Sequence, residues 1–254
     1  MLFNSLHFLI FFPIVGFFYF FVPHKYRWLL LLVASYYFYM SFNIGYGVLL
    51  FGTTVFNYLL TLQMEKYAEG KKRKVFFLLM LIGNIGLLVL FKYYNFFLDS
   101  FGSLFQLAGS EVTLPYIRLL LPLGISFHTF QVLSYVIDVY KKKRPAERHF
   151  GIFALYASFF PQMVAGPIER SDHLLPQFHE KKEFDYVQAT DGLKLMVWGL
   201  FKKVVIADRL AIVVNTVYGN VDSSTGVALI IATVFFAFQI YCDFSGYTDM
   251  AIGS

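Results

Sequence analysis

Sulfur chemistry is nearly absent: the 254 residues include a single cysteine, Cys242. One thiol excludes an intrachain disulfide and a Cys-rich metal site, and no redox chemistry is expected. The six histidines are His7, His24, His128, His149, His173 and His179. They form no HxxxH pair and no Glu-containing metal motif, so no metal site and no bound cofactor are expected. Charge is scarce too, at 15% of residues, against 58% hydrophobic residues and 32 Phe. Such a chain cannot close around one water-facing core without leaving wide apolar patches, which excludes an ordinary soluble domain. It reads as one continuous polytopic membrane unit, with the lipid bilayer as its first partner.

What is present is a series of apolar runs. The run 6–22 lacks the positive flank and small-residue cleavage site of a secretory leader. Its 17 residues reach about 25 Å as a helix, most of a hydrocarbon core about 30 Å thick. Tyr26 and Trp28 suit the interfacial aromatic belt that follows. Spans are predicted near 6–22, 28–42, 46–64, 75–98 and 119–140, with helical or re-entrant segments at 150–168, 192–207 and 227–250. Pro161, Gly166 and Pro167 interrupt 150–168, and backbone breaks persist at membrane depth only where protein or a wet cavity re-satisfies the freed groups.

Lys and Arg alternate by loop: two in 23–27, none in 41–45, five in 65–74, none in 99–117 and five in 141–148. The positive-inside rule then places "KKRK" (71–74) and "KKKR" (141–144) in the cytoplasm and the N-terminus outside it. A nucleic-acid or anionic-lipid patch is the competing reading of these runs. Topology alone accounts for them, and no nucleic-acid partner is expected.

Ionisable residues inside apolar runs are functional candidates by default. His128 lies near a span end behind Pro122 and Gly124, where a neutral imidazole bonded to a neighbouring helix in wet surroundings is the simpler reading. Lys92 in "LFKYYNFF" reads as a lysine snorkelling among interfacial tyrosines, and Asp138 beside "YKKKR" as an interfacial ion-pair partner. In "FFPQMVAGPIER" (159–170) the prolines and glycine fix backbone shape while Gln162, Glu169 and Arg170 bring polar groups to it, as a cavity lining would. The polar stretch after it suits an amphipathic interfacial element with Leu174, Leu175 and Phe178 as its apolar contacts.

"WGLFKKVVIADRL" sets Lys202 and Lys203 in an apolar helix. On a lipid-facing surface each charge would cost roughly 2.5 to 3.5 kcal/mol at the bilayer centre. Either the segment lies at an interface or against protein, or the lysines meet an anionic ligand such as a nucleotide phosphate. In "QIYCDFSGYTDMAIGS" (239–254), Gln239, Asp243 and Tyr247 stand at successive i, i+4 positions, and Ser245 and Asp249 form a second such pair. Carboxylates with no Lys or Arg among them are expensive in lipid. They face a wet internal space or bond to neighbouring helices.

Six stretches resemble the membrane-bound O-acyltransferase family, in its bacterial alginate O-acetyltransferase-like branch. They are "ASYYFY" (34–39), "FKYYNFF" (91–97), "LPLGISFHTFQVLSYVIDVY" (121–140), "FFPQMVAGPIER" (159–170), "GLFKKVVIADRLA" (199–211) and "FQIYCDFSGYTDMAIG" (238–253), in family order. His128 departs from the pattern, which usually has Tyr there, and inherits no catalytic role.

The resemblance implies an all-α polytopic fold with more spans than this chain holds, incomplete at the C-terminus. It also implies transfer of an acyl group from a thioester donor to a hydroxyl across the bilayer. A histidine near neutrality is a sensible base for the attacking hydroxyl, and the resemblance implies one beyond Ser254 rather than in this chain. Gln239, Asp243, Ser245, Tyr247, Asp249, Gln162, Glu169 and Arg170 become candidate chamber or substrate-lining residues, and Lys202 and Lys203 candidate donor contacts. The donor expected is acetyl-CoA or an acyl carrier, as co-substrate. The acceptor expected is an exported polysaccharide such as alginate or a cell-wall glycan, reached with an extracytoplasmic acetyltransferase partner. The location expected is the bacterial cytoplasmic membrane. D-alanyl transfer to teichoic acid, a transporter and a non-catalytic scaffold are the alternative readings.

Overall fold

The computed structural model describes residues 3–107, 124–163, 166 and 169–254, and of 101–107 only the backbone. The first residues of the expected span 119–140, Pro122 and Pro167 lie outside the described residues. Every regular element among the described residues is helical, as the resemblance implies. In order these are α1 (Leu6–Phe21), α2 (His24–Met40), α3 (Ile44–Glu65), α4 (Lys71–Leu107), α5 (Ile125–Tyr140), α6 (Phe150–Ser158), α7 (Ser171–His179) and α8 (Tyr186–Phe201). A π-helical segment (Lys202–Ala207), α9 (Asp208–Tyr218), a short 3₁₀ turn (Val221–Ser223) and α10 (Gly226–Gly253) complete the chain.

Local chemistry sets the helix starts. Ser5 Oγ accepts from Phe8 N at 3.2 Å before α1, and Asn43 Oδ1 from Gly45 N at 2.8 Å before α3. Asp185 Oδ1 accepts from Val187 N and Gln188 N at 2.8 and 3.1 Å before α8. Thr225 Oγ1 accepts from Ala228 N at 3.3 Å before α10. Each fills one of the backbone donors that a helix start leaves open.

Among the described residues, three helices are long and apolar enough to cross a membrane: Ile44–Glu65, Lys71–Ser100 within α4, and Gly226–Gly253. With the shorter apolar α1 they make a polytopic membrane protein. Several boundaries differ from expectation. α4 runs 37 residues, roughly 55 Å, well beyond the stretch expected at 75–98. Lys92 is therefore mid-helix, about 26 Å along from Val75, with Nζ 5.5 Å from the Tyr93 ring. α6 stops at Ser158 after nine residues, so the described residues 150–163 of the expected segment 150–168 are a short buried helix followed by a turn. The segment 192–207 is the middle of a longer run in which α8 passes through the π segment into α9 without a loop.

The chain divides into two compact units. The first comprises Met1–Ser41, Phe159–Pro167 and Glu180–Ser254. Its aromatic core joins Phe3, Phe8, Phe11, Phe38 and Phe160, with Phe160 5.4 Å from Phe11 and 5.8 Å from Phe38 between ring centroids. Phe160 N donates to the buried Ser35 Oγ at 3.1 Å, which holds the turn after α6 against α2.

The second unit comprises Phe42–Ser158 and Ile168–His179. α6 is buried from Gly151 to Ser158, and Tyr135, Phe153 and Tyr156 form its aromatic centre. On α7, Leu174 and Leu175 are buried and Phe178 half-buried, the amphipathic arrangement expected there. Asp138 lies 3.7 Å from Lys143 Nζ, the ion pair expected of it.

His128 is also in the second unit, one turn into α5. Nδ1 donates to the Ala157 carbonyl at 2.9 Å, and Nε2 lies 3.1 Å from Thr53 Oγ1. Both partners are uncharged, which suits a neutral ring bonded to neighbouring helices. The wet surroundings expected for it are absent: the residue is only 5% exposed.

Candidate functional site

The first unit brings the α8–π–α9 run against α10 through glycines spaced seven residues apart. A Cβ at Gly199 would lie 2.5 Å from the Gly246 carbonyl oxygen, and one at Gly246 would lie 2.7 Å from the Gly199 carbonyl oxygen. Gly192 meets Gly253 in the same way. Position sums are equal in the two pairs, which is the register of antiparallel helices. Small residues permit the close backbone approach by which helices associate in lipid.

Lys202 and Lys203 follow directly on this contact, at the start of the π segment. In an α-helix adjacent residues diverge by about 100° around the axis. Here both reach α10, on either side of Gly246. Lys202 Nζ donates to Ser245 Oγ at 2.6 Å and is ion-paired with Asp249 Oδ2. Lys203 Nζ lies 2.6 Å from Asp243 Oδ1 and 2.9 Å from Asp208 Oδ1, and 5.5 Å from the Tyr247 ring centroid. π segments of this kind recur at functional sites.

The cluster sets two ammonium groups against three carboxylates. The lysine side chains are 13% and 15% exposed, whereas Asp243 and Asp208 are 43% exposed. Cations sit at the centre and carboxylates face outward, so open acceptor positions remain for a hydroxyl or another donor. Asp249 is more enclosed, at 18%.

Among the expected lining residues, the structure brings Asp243, Ser245, Tyr247 and Asp249 together with Lys202 and Lys203. Gln239 continues the Asp243–Tyr247 stripe one turn earlier, half-buried on α10. Gln162 is buried in the first unit, in the turn whose Gly166 approaches Ala251 of α10; a Cβ on Gly166 would lie 3.3 Å from the Ala251 side chain. Glu169 and Arg170 fall in the second unit. There Glu169 pairs with His173 Nδ1 at 3.2 Å, and the Arg170 carbonyl accepts from the first amides of α7.

Sequence reasoning treated the lysines and the α10 carboxylates as separate sets and missed Asp208. The matched seven-residue glycine spacing, 192/199 and 246/253, was the signal that could have paired them. No group of three or more His, Cys, Asp or Glu placed to hold a metal occurs among the described residues.

Comparison with known proteins bears out the resemblance carried by the motifs. The chain is 35% identical over its whole length to a peptidoglycan O-acetyltransferase of Helicobacter pylori, of which it covers 53%. It is 38% identical to a probable alginate O-acetylase AlgI of Pseudomonas putida and 37% identical to that of Pseudomonas aeruginosa, covering 52% and 48% of them. The chain thus spans about half the length of the curated relatives it matches. No family model matches it.

Proposed function

We propose, for a chain related along its whole length to bacterial O-acetyltransferases, that it forms part of a membrane O-acetyltransferase. The observation that carries this reading is the Lys202–Lys203–Asp243–Asp249 cluster, set into apolar helices of a chain with those relatives. The reaction would move an acetyl group from a thioester donor, acetyl-CoA or an acyl carrier, to the hydroxyl of an exported polysaccharide such as alginate or a cell-wall glycan.

The chemistry assigns roles to this chain's own side chains. Attack of a hydroxyl on a thioester carbonyl needs an oriented hydroxyl, a proton acceptor and stabilisation of the developing oxyanion. Asp243 and Asp249 accept hydrogen bonds from the acceptor hydroxyl or from water around it. Lys202 and Lys203 hold the carboxylates in place, and as donor contacts they meet an anionic group by exchanging a carboxylate partner for it. Tyr247 and Ser245 hold the lysines, and Gln162 and Gln239 extend the polar lining. His128 takes no part, since both its ring nitrogens are engaged in the second unit. Glu169 and Arg170 keep only the role of shaping the turn before α7.

The membrane is the bacterial cytoplasmic one, with the N-terminus outside, the donor at the cytoplasmic face and an extracytoplasmic acetyltransferase as partner. The experiment replaces Asp243 by Ala and by Asn in the full-length protein in its own cells. O-acetyl content of the polysaccharide should fall at least tenfold in both variants with membrane abundance intact. Unchanged acetylation would remove Asp243 from the chamber. Transfer of D-alanine instead of acetate, read by mass on the same polymer, would replace the donor assignment.

A further inference from the structure

The cations of the two basic loops converge on one end of the second unit. Buried Arg73 donates to the Tyr67 carbonyl at 2.8 Å and to the Val139 and Tyr140 carbonyls at 2.7 and 3.0 Å. This clamp fastens the start of α4 to the end of α5. Beside it is a cleft of about 300 Å³ lined by Glu69, Gly70, Arg73, Tyr140, Lys141 and Lys142. Residues 65–74 and 138–148 together hold ten Lys and Arg against four carboxylates, a formal +6 where the whole chain is +5.

Apart from the Arg73 clamp, fold stability does not call for this arrangement. Residues 71–74 put four cations in the first turn of α4, at the positive end of the helix dipole, where cations are disfavoured. Lys142 adopts φ 58° just past the end of α5, a position that ordinarily falls to Gly or Asn. Membrane topology calls for basic residues in each loop, but not for two loops about 70 positions apart to meet around a cleft. Lys142 is held by Glu69 at 2.7 Å in a pair 52% and 83% exposed, so water screens it and another anion can exchange for the carboxylate. Lys141 has no ion-pair partner among the described residues.

We infer that this cleft binds a phosphate or diphosphate group, with Lys141 and Lys142 as its ligands and Glu69 as the internal anion it displaces. The group can belong to an anionic lipid headgroup at the bilayer surface or to a soluble nucleotide; the recognising chemistry is the same.

The test uses the intact protein purified in neutral detergent and titrated with inorganic pyrophosphate at constant ionic strength. A parallel series in nanodiscs compares phosphatidylcholine alone with phosphatidylcholine plus phosphatidylglycerol, reading retained lipid by mass. Lys141→Gln/Lys142→Gln should weaken pyrophosphate binding at least tenfold, and Glu69→Gln should strengthen it two- to fivefold. Lys181→Gln/Lys182→Gln, the same charge loss in the other unit, should leave it unchanged. Pyrophosphate binding that follows this pattern assigns a soluble phosphate. Retention of phosphatidylglycerol alone, lost with the Lys141/Lys142 pair, assigns a headgroup. The inference is overturned if neither probe distinguishes the Lys141/Lys142 variant from the Lys181/Lys182 control. Should the double variant not fold, Glu69→Gln alone decides, since an unchanged affinity there also overturns it.

Discussion

Two polar networks lie inside apolar helices of this chain, one in each unit, and they are built from opposite materials. In the second unit the members are neutral. Asn57 Nδ2 donates to Asn84 Oδ1 at 3.1 Å while Asn84 Nδ2 donates to Asn57 Oδ1 at 2.7 Å. The spare amide hydrogens go to the Thr53 and Met80 carbonyls, at 2.8 and 2.7 Å. Gln131 Nε2 donates to the Tyr156 carbonyl at 2.9 Å and the Tyr156 hydroxyl returns a bond to the Gln131 carbonyl at 3.2 Å. In the first unit the members are Lys202, Lys203, Asp208, Asp243 and Asp249, and the carboxylates of Asp208 and Asp243 keep open faces. A closed neutral network has nothing left to offer a ligand and acts as glue between helices. A charged, half-open one costs more to keep in an apolar setting and retains binding capacity.

The largest effect that would break this contrast is steric. Gly246→Leu puts a branched side chain where even a Cβ would lie 2.7 Å from the Gly199 carbonyl oxygen and 3.1 Å from Lys203 N. Overpacking costs typically 1 to 3 kcal/mol, and backbone on both sides leaves little room to yield. Loss of the folded protein from the membrane, or a thermal midpoint lowered by several degrees in detergent, is expected. A variant as stable and active as the parent would mean that the glycine crossing does not position the lysines.

Next is function without stability. Lys203→Met removes the charge and keeps most of the stem. It should lower O-acetylation at least tenfold, by the same reasoning as Asp243→Asn, while protein abundance stays near normal. In the second unit Asn84→Leu should do the reverse. It strips Asn57 of its amide partner in a buried site and costs about 1 to 2 kcal/mol of stability, leaving the acetylation per folded molecule unchanged. Equal losses of activity per folded molecule from both substitutions would erase the distinction between the networks.

The two networks also differ in how far the sequence announced them. The polar stripe Gln239–Asp243–Tyr247 follows from α-helical periodicity, because α10 runs unbroken through it. The pairing of that stripe with Lys202 and Lys203 does not follow, since ion pairs between helices some 40 residues apart depend on crossing geometry that no local period encodes. The π segment Lys202–Ala207 was equally silent, since the apolar pattern runs through it without a break. α4 was underestimated because the apolar run ends at Leu98, before Asp99, whereas the helix runs from Lys71 to Leu107. His128 was read correctly as a bonded neutral ring and incorrectly as wet: a position near a helix start says nothing of what packs over it, and here α6 does.

The smallest expected effect is electrostatic and lies outside both networks, in the second unit's polar loop. Burial pushes the Glu147 carboxyl up, but the His149 amide and the His179 imidazole outweigh it and hold the group below the usual carboxylate range. Its oxygens accept from His149 N at 2.8 Å and lie 3.0 Å from His179 Nε2. A carboxyl whose folded pKa is depressed adds stability that is fully present above its unfolded pKa and is lost as the pH falls through the folded value. Thermal midpoints of the parent should therefore drop more steeply than those of Glu147→Gln as the pH is lowered from about 5 towards 3, the ordinary carboxylate range and below. Parallel curves would show that the loop holds through Arg144 and Arg148 instead. Arg144 donates to the Ser171 carbonyl and Arg148 lies 2.5 Å from Glu65, so either contact could fasten it without Glu147.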